Sequence, residues 1–248
     1  EPVTVKKAPR TTGEEEGYVL EYLQRFHQGN IGNGSKNARG GGFQKKSDAQ
    51  IMLGLRKFAM GIKATPSEAD CAHLREFIIA YGVGRTFKGL SKDKVSILKP
   101  VVEHLRRTLR QDSSGLDAVA EVEALVDTCD RAGFNRNVSF ATKCLNMLGH
   151  TVPIMSSEGS AYLRHAGHPL PSSATQPGAY EAFHRAWCAE YEQHSMGFEV
   201  AAAKHMAAVT PEELELQGLE PKLDARWFAM RGFDAKLMAV GGPMRSNK

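Results

Sequence analysis

The sequence lacks the marks of an exported, membrane-spanning or metal-dependent protein. No apolar run approaches the ~20 residues that a membrane helix needs, and no apolar stretch follows the basic residues near the N-terminus, as a signal peptide requires. Cysteine is scarce and never forms a CxxC pair; the 248 residues include Cys71, Cys129, Cys144 and Cys188. We therefore expect a cytoplasmic protein with no membrane partner, whose cysteines are reduced core thiols rather than disulfides or zinc ligands.

Two further motif classes are missing. The histidines show no HxxxH or HExxH spacing, although His184 and His194 could share one face of a helix. The glycine-bearing stretch from Gly82 to Gly89 lacks the Gly-Lys-Ser/Thr ending of a phosphate loop. The sequence therefore predicts neither a metal site nor an organic cofactor.

Strand patterns and repeats are also absent, and this decides the fold class. No alternating β-branched run is bounded by turn signals, and no segment recurs at a fixed period. Apolar residues instead recur at helical spacing from residue 48 to residue 239. The pattern predicts an all-α fold, a compact bundle of about nine or ten helices.

Composition divides the chain into two parts. Residues 1–46 should form a flexible basic tail, one helix over 14–28 and a glycine-rich loop over 29–46. Residues 47–248 should form an all-α domain, as one unit or as two closely packed lobes. Its helices include one with Thr65 as N-cap and Pro66 in the first turn. Further predicted helices cover 48–62, 116–129, 179–194, 197–207, 211–217 and 224–239.

The net charge is mildly positive, at +4. Basic residues concentrate in 36–46, 85–110 and 131–143, and each of these regions includes or adjoins a glycine-bearing turn. One interpretation is that they are ordinary solvated faces of helices. The other is that basic side chains and backbone N–H groups bind phosphates there.

The most informative segment runs from Arg131 to Ile154. An acidic helix ends at Gly133, and a short turn leads to a second helix that Asn137 caps and Gly149 ends. The extended residues 152–154 then precede a helix start at Ser156-Ser-Glu158. Two helices joined by a tight turn expose the N-terminus of the second helix, which is a natural seat for a phosphate.

Three motifs of this chain carry a resemblance to a known family. They are Ser139-Phe-Ala-Thr-Lys143, Val152-Pro-Ile154 and the closing Arg231-Gly-Phe-Asp234-Ala-Lys-Leu237. Together they resemble the helix-hairpin-helix DNA glycosylase superfamily, particularly the small 8-oxoguanine-glycosylase-like bacterial proteins. The resemblance implies a helix-hairpin-helix-like element that grips the DNA backbone, and cleavage of the N-glycosidic bond of a flipped base.

The resemblance also locates the candidate site residues, and it shows where this chain departs from the family. Ser156 stands where the family has its aspartate, and Glu158 follows two residues later. The family's nucleophilic lysine corresponds to Ser139, and Lys143 lies one turn further on. The catalytic candidates are therefore Lys143 and Glu158. The candidates for nucleic-acid contact are Arg131, Asn135, Arg136, Asn137 and Ser139.

Each catalytic candidate keeps an alternative interpretation. Lys143 could attack the sugar C1′, hold a phosphate, or be an ordinary surface lysine. Glu158 could replace the missing aspartate, or be a first-turn glutamate that the helix dipole favours. No cofactor is needed for either chemistry.

The function expected from the sequence is nucleic-acid binding, with DNA favoured over RNA, and excision of a modified base in repair or in defence against foreign DNA. One alternative is a non-catalytic coat or nucleoprotein that binds phosphates and oligomerises through its arms. A second alternative is an inactive glycosylase-like interaction module. The oligomeric state stays open.

Overall fold

A computed structural model describes residues 12–28, 48–59, 65–81, 87, 90, 92–110, 116–206 and 223–245. All regular structure in these residues is helical, which confirms the all-α prediction. The basic tail before residue 12, nearly all of the glycine-rich loop and the helix predicted at 211–217 lie outside the described residues.

Nine α-helices and one 3-10 helix are present in the described part of the chain. They are α1 (Thr12–Gln28), α2 (Asp48–Ala59), α3 (Glu68–Ala80), the 3-10 helix (Lys92–Leu98), α4 (Lys99–Arg110), α5 (Ala118–Arg131), α6 (Val138–Met147), α7 (Ser157–His165), α8 (Ala179–Met206) and α9 (Ala225–Arg245).

Helix α9 lies at the centre of one half of the core. It packs against α1, α7 and α8, and its residues Trp227, Phe228 and Phe233 are buried. The ring of Phe26 on α1 meets Phe228 edge-on, with ring centroids 5.3 Å apart. Helix α1 therefore shares its core with the later helices, although the sequence grouped it with the tail.

Helices α2 to α6 continue the same core around a second group of aromatic rings. Phe87 lies 4.7 Å, centroid to centroid, from both Phe134 and Phe140, and Phe140 also contacts Phe77. These residues and the α9 aromatics belong to one continuous apolar cluster.

Helix α3 begins two residues later than the sequence indicated. Its N-cap is Ser67, whose hydroxyl accepts from the Asp70 backbone N–H, while the Asp70 carboxylate accepts from the Ser67 backbone N–H at 2.7 Å. This reciprocal pair satisfies two donors at once. The predicted N-cap Thr65 therefore lies outside the helix.

Helix α8 is continuous, where the sequence predicted two helices separated near Gly197. A Cβ at Gly197 would lie 3.0 Å from the carboxyl carbon of Glu15, so glycine here admits a side chain of α1 rather than ending the helix. A second difference concerns cysteine. Cys71, Cys129 and Cys144 are buried and free as expected, whereas Cys188 on α8 is exposed.

Candidate functional site

The turn between α5 and α6 forms as its sequence indicated. Gly133 has a φ of +86°, a left-handed conformation that favours glycine. The Phe134 backbone N–H donates to the Cys129 carbonyl at 3.0 Å, which closes the end of α5. Asn137 then caps α6, because its side-chain oxygen accepts from the Phe140 N–H at 2.9 Å. The predicted cap at Asn137 is confirmed.

The extended segment 150–156 is held by side chains from three different helices. Each of the residues 152–155 has one backbone group hydrogen-bonded to such a side chain. The Val152 carbonyl accepts from Asn146 (3.0 Å) and the Pro153 carbonyl from Tyr180 (3.2 Å). The Ile154 N–H donates to Asp234 and the Met155 N–H to Thr142 (3.3 Å). The next residue, Ser156, is the N-cap of α7. The position of Ser156 is therefore fixed from α6, α8 and α9 together.

Asp234 is the one acidic member of this set, and it is buried. Its carboxylate accepts from the Trp187 indole N–H and from the Arg231 guanidinium, both at 2.9 Å. Burial raises the pKa of Asp234 to about 6, because desolvation outweighs the opposing effects of Arg231 and the N–H donors. The carboxylate links α8, α9 and the extended segment. This aspartate belongs to the Arg-x-x-Asp motif that the sequence singled out.

A cavity of about 620 Å³ lies beside this segment. It is bounded by the start of α6, one face of α7, the loop that follows α7 and the end of α9. The residues that line it are Ser139, Met155, Ser156, Ser157, Ser160, Ala161, Arg164, His165, Ser172, Ala174 and Met244. Ser139 and Ser156 therefore meet in one cavity, and these are the two positions where the resemblance places a lysine and an aspartate.

The cavity wall is rich in hydrogen-bond donors. Five serines, Arg164 and His165 contribute to it, and none of the described residues that line it is acidic. The Ser156 hydroxyl accepts from the Gly159 N–H at 2.9 Å, and the Ser160 hydroxyl donates to the Ser156 carbonyl at 2.8 Å. These bonds order the first turn of α7 and fix the orientation of its hydroxyls.

The two catalytic candidates lie beside the cavity but do not line it. Lys143 lies one helical turn along α6 from Ser139, and its ammonium is 6.0 Å from the ring centroid of Tyr81, the C-cap residue of α3. The Glu158 carboxylate accepts from the Ser157 hydroxyl at 3.0 Å. Because Ser157 lines the cavity, Glu158 reaches it through one hydroxyl.

The candidates for nucleic-acid contact have different surroundings. The Arg136 guanidinium bonds the carboxylates of Asp127 at 2.5 Å and Glu123 at 2.8 Å, and its hydrogen bond with Asp127 raises the pKa of Arg136. Arg131 donates to the Asp127 carbonyl and the Thr128 hydroxyl, both at 3.3 Å. Asn135 is exposed at the turn. The carboxylates of α5 therefore neutralise part of the positive charge of the hairpin.

Part of the predicted basic region 85–110 is also neutralised inside the fold. Arg106 is buried and bonds the Asp70 carboxylate at 2.9 Å. The Arg107 guanidinium lies 2.9 Å from the His104 ring nitrogen, and His104 in turn contacts Glu121 at 2.8 Å. These contacts lower the pKa of Glu121, chiefly through its hydrogen bond with His104. Sequence counting treated all of this charge as surface charge.

Sequence reasoning missed Arg164, His165, Ser172 and Met244 as site residues. A signal for Arg164 did exist, because Ser157, Ala161 and Arg164 follow each other at i, i+4 and i+7 and so share one face of α7. Ser172 and Met244 come from a loop and from the last turn of α9. Their approach to α7 depends on tertiary packing that no local pattern encodes.

The chain has no recognisable counterpart among known proteins, and its described residues show neither a metal cluster nor a membrane span. No protein-family model, curated protein or solved structure matches this chain. Among the described residues, no three His, Cys, Asp or Glu side chains lie together as metal ligands would. In the same residues, no helix combines the length and apolarity needed to cross a membrane.

Proposed function

We propose that this protein binds DNA through the α5–α6 hairpin and receives a flipped nucleotide in the cavity between α6 and α7, where the base is cleaved from its sugar. The observation that carries the proposal is that Ser139 and Ser156 line one cavity. Their motifs are separated in sequence, and the resemblance assigns both to the centre of a glycosylase site.

The cavity has the size and the wall that this role needs. Enzymes that act on a base extrude the nucleotide into a pocket and read it by stacking and edge hydrogen bonds. A volume of about 620 Å³ falls within the ~300–1,000 Å³ common for ligand sites. Met155 and Met244 offer apolar contact to a base, and the serine hydroxyls offer hydrogen bonds to its edge.

The chemistry follows from the nearest charged groups. As the C1′–N bond breaks, its electron pair leaves with the base and the sugar carbon becomes cationic. A water molecule then forms the new C1′–O bond, its proton passes to Glu158, and the departing base is protonated from solvent. Glu158 is favoured for this role because Ser157 connects its carboxylate to the cavity. Lys143 is the only lysine on α6, and a Schiff base to C1′ is its alternative route.

The route through Glu158 predicts abasic sites without a covalent adduct. With the full chain and a panel of damaged and hypermodified duplexes, Glu158→Gln should lower base release about 100-fold or more, while DNA binding survives. The matched control is Glu181→Gln, an exposed glutamate on α8, which should release base at the wild-type rate.

Borohydride trapping separates the two routes. An adduct that Lys143→Ala abolishes would assign the nucleophile to Lys143 and remove Glu158 from the central role. If the panel yields neither an adduct nor abasic sites, the protein is not a glycosylase for those bases.

The second candidate function is non-catalytic binding of nucleic acid. It is favoured by one observation, that the described residues lining the cavity include no lysine and no carboxylate. In that case the protein would hold a nucleotide without cleaving it, as an interaction module or as a coat. Particle size distinguishes these two roles, because only a coat grows into a nucleic-acid-filled polymer when DNA or RNA is added.

The salt dependence of DNA binding tests whether the α5–α6 hairpin contacts the DNA phosphates. Each phosphate contact contributes about −0.9 to the slope of log K against log salt. Changing Arg131, Arg136 and Lys143 together to glutamine should reduce the slope's magnitude by about two rather than three, because Arg136 is already bonded to Asp127 and Glu123.

A control variant removes the same charge elsewhere. Arg185, Lys204 and Arg226 lie exposed on α8 and α9, and changing all three to glutamine should leave the slope nearly unchanged. If the two triple variants show the same salt slope, the hairpin does not contact the DNA phosphates.

A further inference from the structure

We infer that the cavity is a site for a phosphate monoester, the terminal phosphate of a nucleotide, with Arg164 as its charged ligand. The inference rests on the proposed function only in taking the phosphate to be that of a nucleotide. It concerns the end of the cavity formed by the last turn of α7, away from Ser156 at the start of that helix.

Several hydrogen-bond donors of the cavity wall have no partner in the described part of the chain. Arg164 uses one N–H, which donates to the Pro171 carbonyl at 2.5 Å; no other partner for its guanidinium is found among the described residues. Within the same residues, the hydroxyls of Ser139 and Ser172 and the ring of His165 have no hydrogen-bond partner either. The bond to Pro171 fixes the guanidinium in place while its remaining donors stay open.

The composition of the wall favours a particular class of ligand. Among its described residues the wall has many donors and no carboxylate. It therefore leaves a ligand's own donors unsatisfied and favours a ligand that is rich in acceptors and negatively charged. The planar guanidinium matches two oxygens of a phosphate at once. A phosphate monoester carries about −1.5 to −2 charges and three terminal oxygens near neutral pH, which suits this donor set best.

The loop that follows α7 shapes this end of the cavity. The loop 166–178 forms one side of this end through Ser172 and Ala174. It is held at two points: Arg164 bonds Pro171, and the His168 ring contacts the buried carboxylate of Glu190 at 3.1 Å. A continuous strand has to enter and leave a site, whereas a terminal group can end inside it. The walled end therefore favours a terminal phosphate over a phosphodiester within a strand.

Glu158 lies beside the cavity wall, where its negative charge would oppose an anion. Glu158 is six residues before Arg164 on α7, about 9 Å along the helix axis, and its carboxylate is bonded to Ser157 rather than lining the cavity. Glu158 and Arg164 therefore serve opposite ends of the site. Removing the Glu158 charge should leave phosphate binding unchanged or strengthen it.

The test is calorimetric titration of the full chain with deoxyadenosine 5′-monophosphate, deoxyadenosine and inorganic phosphate. The monophosphate should bind at least tenfold more tightly than the nucleoside. Arg164→Gln should remove roughly tenfold to hundredfold of that difference, and Ser172→Ala severalfold. Arg185→Gln, at an exposed arginine on α8, is the matched control and should bind like the wild type.

The source of the phosphate is distinguished with oligonucleotides of one sequence that carry a 5′-phosphate, a 3′-phosphate or neither. Tighter binding of a phosphorylated oligonucleotide than of the monophosphate identifies a strand end as the ligand. The opposite order identifies a free nucleotide. Either order requires the phosphate to be bound at Arg164.

Two results would overturn the inference. One is equal affinity for the monophosphate and the nucleoside; the other is an affinity ratio that Arg164→Gln leaves intact. Ser172→Ala keeps the test usable if the arginine variant misfolds, because Ser172 is exposed. Base release without monophosphate binding would overturn this inference alone, whereas monophosphate binding without base release would overturn only the proposed chemistry.

Discussion

Replacing Gly241 with alanine should destabilise the protein by about 3 kcal/mol, near the upper end for overpacking in a core. Gly241 lies where α9 crosses α7. A Cβ there would overlap the carbonyl oxygen of Glu158 and would lie 2.8 Å from its carbonyl carbon and 3.2 Å from the Tyr162 backbone nitrogen. These are backbone atoms of a helix, so no side chain can move aside, and the two helices would have to separate.

The matched control is the neighbouring glycine on the same helix. A Cβ at Gly242 would meet no atom within 4 Å, so Gly242→Ala should be neutral or stabilising by about 0.5–1 kcal/mol. Thermal unfolding measures both, and the Gly241 variant should melt about 6–12 °C lower. Because Met244 lines the cavity one turn further along α9, this variant should also bind the monophosphate less tightly. Equal melting temperatures for the two variants would contradict the described crossing of α7 and α9.

The sequence predicted the parts of the site that depend on neighbouring residues. The cap at Asn137 and the start of α7 at Ser156 follow from side chains that bond a backbone N–H three residues ahead. The left-handed turn at Gly133 follows from the lack of a side chain. Such signals act over a single turn of chain, and they are readable without knowledge of the fold.

The sequence could not predict contacts between distant elements. The engagement of Arg136 by Asp127 and Glu123 depends on how the hairpin folds back along α5. The crossing of Gly241 over Glu158 joins helices that lie far apart in the chain. In both cases the local pattern is compatible with several arrangements, and tertiary packing selects one of them.

The motif resemblance brought together positions from separate segments of the chain. It assigned Ser139 and Ser156 to one site, and the fold places both in the wall of one cavity. The substitute groups, Lys143 and Glu158, were chosen for nearness in sequence, and both lie just outside that wall. Nearness along a helix does not decide which face a side chain occupies, so these two roles stay predictions.

Replacing Asp234 with alanine should cost about 3–5 kcal/mol at pH 7.5, the range for removing one partner of a buried ion pair. The change would leave the Arg231 charge in a sealed interior without its hydrogen-bonded carboxylate, with the Tyr22 hydroxyl and the more distant charge of Asp48 left to compensate it. It would also leave the Trp187 indole N–H and the Ile154 backbone N–H without their acceptor.

Two comparison variants isolate the cause of that loss. Glu181→Ala removes an exposed carboxylate that pairs with Arg185, and it should cost at most about 0.5 kcal/mol. Adding Arg231→Met to Asp234→Ala should recover part of the loss, because the arginine charge is then gone while its volume is largely kept. Chemical unfolding of the three variants and the wild type measures these differences.

The same substitution tests whether Asp234 positions the cavity. Asp234 holds the Ile154 N–H, two residues before the N-cap Ser156, so its loss should loosen the first turn of α7. Monophosphate affinity should therefore fall in Asp234→Ala even at temperatures where the variant is fully folded, and it should stay unchanged in Glu181→Ala. An Asp234→Ala protein that is folded and binds with wild-type affinity would show that the carboxylate stabilises the core without ordering the site.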